Sequence, residues 1–317
     1  MFFSIVILII GFIILMKCAD LFVDGGSGIA ENFKVSKMLI GLTIVSFGTS
    51  APEFAVSLKA LSVGSGDIVL GNVIGSNILN ILLILGICSL IHSLSVKNST
   101  VKKELPIAML STFAFATLLS DKFFDKKLEN SFTRGDGFIL VLFFFVFLYY
   151  LISMVRKKEE GKEEGTISLS LARSIIYTLI GIVGIIFGSN LVVNSATSLA
   201  KILGVSERMI SLTIIALGTS LPELVTSITA TRKKEYDIAI GNVVGSNIFN
   251  IGMVVGVPVA ILGGIPHISF QYTDLLVMIL SSILLFMFSF NDYKISKKEG
   301  IIFLIVFLMY YSFVIIS

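Results

Sequence analysis

The chain has 317 residues, of which 55% are hydrophobic and only 14% charged, with a mean hydropathy of +0.98. A soluble domain carries about a quarter of its residues as charge, so this composition excludes a water-soluble globule and requires apolar side chains to face lipid. The net charge of +3 is small, and the charges fall in short clusters between apolar stretches, which excludes a nucleic-acid partner and reads instead as loops and membrane flanks.

A helix needs about 20 mainly apolar residues to cross the hydrocarbon of a bilayer. On that length the sequence predicts an all-α membrane protein of ten spans, near 2–23, 37–62, 67–91, 105–120, 137–153, 171–191, 208–231, 237–263, 273–290 and 299–316. The first span resembles a signal peptide in length but lacks a basic leader, and its end has a counterpart in the sixth, so it is read as structure. Cys18 and Cys88 lie inside apolar segments and read as small buried hydrophobes. The mixed-charge run Arg156–Gly165 reads as a linker, with 1–155 and 170–317 on either side of a cytoplasmic segment 156–169. With the N-terminus outside, the inner loops hold 16 Lys and Arg residues and the outer side 7, with Lys17 left within the first span. That bias places both termini outside.

The strongest internal signal is self-similarity at an offset of 170 residues. Residues 40–80 align with 210–250 without a gap and share 21 of 41 positions, against about one in ten expected for apolar sequence of this composition. Five spans per copy is an odd number, so the second copy enters the membrane from the opposite face. Inverted repeats around a midplane site are the architecture of secondary transporters.

The identities gather in two motifs per copy. One is Gly48-Thr49-Ser50-Ala51-Pro52-Glu53, repeated as Gly218-Thr219-Ser220-Leu221-Pro222-Glu223. The other runs from Gly71-Asn72 through Gly75-Ser76-Asn77 to Asn80, repeated from Gly241-Asn242 through Gly245-Ser246-Asn247 to Asn250. A carboxylate at mid-bilayer costs a few kcal/mol or more, so Glu53 and Glu223 are functional candidates; no Lys or Arg lies deep in the neighbouring spans to pair with them. Pro52 and Pro222 lack an amide hydrogen and crowd the carbonyls of Gly48 and Gly218, freeing backbone oxygens that a cation is expected to partner. Thr49 and Glu53 stand at i,i+4, Ser50 and Glu53 at i,i+3, Ser57 follows Glu53 at i+4, and Asn72, Ser76 and Asn80 form a second polar stripe. The donor set is oxygen only, with His92 and His267 near span ends, and suits hard cations such as Ca²⁺, Mg²⁺, Mn²⁺ and Na⁺. Two negative charges match one divalent or two monovalent ions, which is the physical basis of exchange.

These paired motifs resemble the two alpha-repeats of the calcium/cation antiporter superfamily, in particular prokaryotic sodium/calcium exchangers, over essentially the whole chain. The resemblance implies ten helices, with the second, third, seventh and eighth holding the ions and the first and sixth sliding past them. By motif position it implies ligands at Glu53, Glu223, Thr49, Ser50, Ser76, Asn80, Thr219, Ser220, Ser246 and Asn250, with the carbonyls of Ser46 and Ala216 serving sodium sites. It further implies no cofactor, Ca²⁺ and Na⁺ as cargo, a monomer in a prokaryotic cell membrane, and no enzymatic activity. Potassium-dependent members usually carry Asp where this chain has Asn250, which argues against K⁺ co-transport. Proton-coupled members usually show G-N-A-x-E in place of G-T-S-x-P-E, which favours Na⁺. A Ca²⁺/H⁺ or other divalent/H⁺ antiporter is the main alternative, and a cation channel a remote one.

Overall fold

The computed structural model describes residues 2–124, 129–156, 169–204, 216–266, 268 and 272–316, almost all of them helical. Helix α1 (Phe2–Phe33) leads into a broken helix, α2 (Lys37–Thr49) and α3 (Ala51–Ser62), and then α4 (Gly66–Ile91). Two short helices, α5 (Asn98–Lys102) and α7 (Asp121–Phe124), flank α6 (Glu104–Leu118), and α8 (Arg134–Arg156) follows. The later helices are α9 (Leu171–Ile202), α10 (Ala216–Thr219), α11 (Leu221–Arg232), α12 (Tyr236–Leu262), α13 (Tyr272–Asp292) and α14 (Lys297–Ile316). Among the described residues seven helices are long and apolar enough to cross a bilayer, and α2 with α3, bent by 45°, make an eighth. At 15 residues α6 is about 22 Å long, short of the hydrocarbon thickness. The expected span at 208–231 is described from Ala216 onward, and most of the expected linker lies outside the described residues.

Helix α1 runs ten residues beyond the expected end at 23, through Gly25, Gly26 and Gly28. Glycine is a poor helix former, but here tertiary packing decides. A Cβ on Gly25 would sit 2.6 Å from the Thr178 amide nitrogen, one on Gly181 2.7 Å from the Phe22 backbone, and one on Gly188 2.9 Å from the Leu15 amide nitrogen. Residue numbers rise along α1 as they fall along α9, so the two 32-residue helices lie antiparallel, backbone against backbone. Small residues let membrane helices approach in this way.

Burial separates core from lipid face. The most apolar windows of α4 and α12 are 72% and 83% buried, those of α1, α8 and α14 only 17–22%. Phe145, Val146 and Tyr149 of α8 and Leu308 and Met309 of α14 point outward. Two straps that the sequence did not suggest join distant loops. Leu94–Ser95 (β1) pairs antiparallel with Lys294–Ile295 (β2), and Phe132 bridges Ile265. The turn after α3 uses Gly64 at φ 77°, and its counterpart after α11 uses Lys234 at φ 61°. Both need the left-handed region, which glycine enters without strain and lysine does not. Lys233 in that second turn reaches Asp24 of α1 at 2.7 Å, and Lys37 reaches Glu235 at 2.6 Å.

Candidate functional site

Both proline motifs break their helix at the serine. Ser50 adopts φ −83°, ψ 3° and Ser220 φ −87°, ψ 4°, and α3 and α11 restart immediately after them. Each restarted helix places its glutamate in the first turn, where the positive end of the helix dipole favours a carboxylate. A serine at such a boundary ordinarily caps its own helix. Neither does so here; each hydroxyl is directed across the molecule instead. Ser50 Oγ donates to Glu223 Oε1 at 3.0 Å, and Ser220 Oγ lies 3.5 Å from Glu53 Oε1 and 3.2 Å from Ser76 Oγ. The two carboxylates are thus cross-linked through each other's serines. Glu53 and Glu223 are 0% and 1% exposed, and among the described residues neither has a Lys or Arg within ion-pair distance.

Of the neighbouring asparagines, one pair bonds within its own copy and another bonds across. Asn72 Nδ2 donates to the Glu53 carbonyl at 3.3 Å and to Ser57 Oγ at 3.1 Å. Asn242 does likewise to the Glu223 carbonyl at 3.3 Å and Ser227 Oγ at 2.9 Å. Deeper in, Asn80 Nδ2 donates to Asn247 Oδ1 at 2.9 Å and Asn250 Nδ2 to Asn77 Oδ1 at 3.0 Å. Asn80 and Asn250 both lie in π-helical stretches, Leu79–Leu85 and Asn250–Val255. Such bulges gather at functional sites because they re-aim side chains.

What remains after these bonds is a set of buried oxygens with no partner: Glu53 Oε2, Glu223 Oε2, Asn80 Oδ1, Asn250 Oδ1 and Ser246 Oγ. A buried acceptor left unpaired costs about 1–3 kcal/mol, more when charged. Carboxylate and amide oxygens can only accept, and the group that satisfies several acceptors at once is a hard cation. The Thr49 hydroxyl sits 3.0 Å from Asn242 Oδ1, 3.1 Å from the Val45 carbonyl and 3.3 Å from that of Ser46. It has one proton for three acceptors, and its lone pairs stay free. The Ser46 carbonyl also accepts from the Ser50 amide at 3.0 Å. Thr219 is half-buried beside Ser220, and Ala216 opens α10 at the edge of the described residues.

The carbonyl freed by Pro222, that of Gly218, accepts from Ser189 Oγ of α9 at 3.1 Å, which takes one of its two lone pairs. The equivalent position on α1 is Ala19, which has no such donor. The motif glycines are tight as well: a Cβ on Gly48 would lie 2.3 Å from Ile182 and one on Gly218 2.6 Å from Val193, both on α9.

Gly241, Asn242 and Gly245 are buried against α2, with a Cβ on Gly241 only 2.9 Å from the Met38 carbonyl.

A family model described as sodium/calcium exchanger protein matches residues 3–153 and 173–316. The chain belongs to the sodium/calcium exchanger family. Among its relatives, this exchanger is 36% identical to the inner membrane protein YrbG of Escherichia coli, over 93% of its own length and 90% of the relative's. It is 29% identical to the sodium/calcium exchanger MaX1 of Methanosarcina acetivorans, over 98% and 97%. The solved sodium-calcium exchanger NCX_Mj superposes with a TM-score of 0.83 at 30% identity, covering 97% of each chain. The exchanger is thus a multi-pass membrane protein of the calcium/cation antiporter superfamily, a cation/Ca²⁺ antiporter.

Sequence reasoning assembled the glutamates, the serines, Asn80 and Asn250 but gave no role to Asn77 and Asn247. The available signal was their identity across the 170-residue offset, inside a motif whose other polar residues, Asn72, Ser76 and Asn80, formed the stripe.

Proposed function

We propose that this exchanger carries Ca²⁺ against Na⁺ through one site that opens alternately to each face. In this reading it has ten spans, as two inverted five-helix halves, 1–155 and 170–317, joined by a cytoplasmic linker at 156–169. It works as a monomer in a prokaryotic cell membrane with both termini outside. The cargo ions are held by Glu53, Glu223, Thr49, Ser50, Ser76, Asn80, Thr219, Ser220, Ser246 and Asn250, with the carbonyls of Ser46 and Ala216 serving Na⁺.

The observation that carries this reading is the pair of fully buried carboxylates, each with one oxygen bonded across to the other copy and one oxygen unpartnered. Two charges balance one Ca²⁺ or two Na⁺, so either load neutralises the site for passage through a low-dielectric interior, and the empty, doubly charged site resists passage. The core meets the antiparallel α1–α9 pair through Gly48 and Gly218, which pack against Ile182 and Val193 of α9. Purified exchanger in sealed vesicles tests the coupling. An imposed Na⁺ gradient drives uptake of radiolabelled Ca²⁺ and a pH gradient of equal size does not. Uptake driven by the pH gradient alone makes the protein a Ca²⁺/H⁺ antiporter.

A further inference from the structure

Four buried asparagines where α4 meets α12 are joined by four hydrogen bonds, and two of them have no function assigned. Asn77, Asn80, Asn247 and Asn250 are all at most 4% exposed. Besides the two side-chain bonds given above, Asn77 Nδ2 donates to the Asn247 main-chain carbonyl and Asn247 Nδ2 to the Asn77 main-chain carbonyl, each at 3.4 Å.

A main-chain carbonyl can only accept. The carbonyl of Asn77 therefore requires Asn247 to present its NH₂, which turns Asn247 Oδ1 toward Asn80. An oxygen there requires Asn80 to present its own NH₂, and this leaves Asn80 Oδ1 pointing away, buried and unpartnered. The same sequence runs from the Asn247 carbonyl through Asn77 to Asn250, whose Oδ1 is likewise unpartnered. Reversing either amide sets oxygen against oxygen at the next step.

We propose that Asn77 and Asn247 are positioning residues that fix the amide polarity of their partners in the opposite copy, so that Asn250 and Asn80 offer carbonyl oxygen, never NH₂, to the cation. This rests on the reading of Asn80 and Asn250 as ligands. The pairing is crossed: Asn77 acts on Asn250, not on Asn80 three residues along its own helix.

The test is a set of double-mutant cycles read as Ca²⁺ affinity on the purified protein and as KM and kcat for exchange in vesicles. Loss of a partner that orients a metal ligand costs about 10–100-fold in affinity. Asn77→Ala raises the Ca²⁺ Kd and KM by about tenfold, with kcat little changed. On an Asn250→Ala background Asn77→Ala adds nothing, because the oxygen it orients is already gone; on an Asn80→Ala background its full effect persists. Asn247→Ala shows the reverse pattern. Should Asn77→Ala fail to fold, Asn77→Ser, too short to reach Asn250, goes through the same cycles. Additive losses in both backgrounds, or coupling of Asn77 with Asn80, overturn the proposal. The site reading fails separately, if Asn80→Ala and Asn250→Ala themselves leave Ca²⁺ affinity unchanged.

Discussion

Replacing Glu53 by Gln separates function from stability, because the two respond in opposite directions. Glu53 is completely buried, its Oε1 lies 3.5 Å from the Ser220 hydroxyl, and its Oε2 has no partner. A carboxylate facing a divalent ion at about 4 Å contributes roughly 8 kcal/mol at an effective dielectric of about 20. The amide oxygen that Gln retains, together with relief of the desolvated charge, offsets about half of that. About 4 kcal/mol remains, or roughly a thousandfold in Ca²⁺ affinity. The empty protein, relieved of an unpaired buried carboxylate, melts no lower than the parent. Thermal melts of purified protein with and without Ca²⁺ read both effects. The parent gains about 2.7 kcal/mol at a hundredfold excess over Kd, and Glu53→Gln gains nothing at the same concentration. A Ca²⁺-induced shift in the variant equal to the parent's removes Glu53 from the site. An empty variant that melts well below the parent shows that the carboxylate has a structural partner and refutes the energetic argument.

Two further outcomes are expected. Gly181→Ala puts a Cβ 2.7 Å from the Phe22 backbone, inside the contact distance of about 3.5 Å, so α1 and α9 must part by close to 1 Å; exchange slows several-fold in vesicles while Ca²⁺ affinity of the purified protein is unchanged, and parent-like rates contradict a role for that contact in transport. Asn250→Asp adds a third carboxylate beside Asn77 and changes the preference among monovalent ions; identical dependence on Na⁺, K⁺ and H⁺ in the same vesicles removes the selectivity argument.

The membrane character, the repeat and the two acids were legible because each leaves a one-dimensional trace. Lipid exposure shows as apolar length, duplication as identity at a fixed offset, and a buried charge as a Glu inside a greasy run. The bend at Ser50 followed from Pro52, since proline's missing donor and ring clash act within four residues. The length of α1 was not legible: Asp24 and three glycines follow the apolar run, and the antiparallel α9 supplies contacts along that stretch. The fate of the Gly218 carbonyl depended on Ser189, 29 residues earlier and on another helix. The straps Leu94–Ser95 with Lys294–Ile295 and Phe132 with Ile265 join residues more than a hundred positions apart through two-residue and single-residue pairings too short to leave any periodicity.

The crossing of the serine bonds has a consequence for origins. Ser50 serves Glu223 and Ser220 serves Glu53, so neither half contains a finished shell around its own acid. A polypeptide carrying only one half would need a second copy beside it, and the complete shell would form only at high membrane concentration. Joining the copies in one chain makes that encounter intramolecular, at an effective concentration of order millimolar. The two copies now differ in places: Ser189 stands where the first copy has Ala19, and Lys234 where it has Gly64.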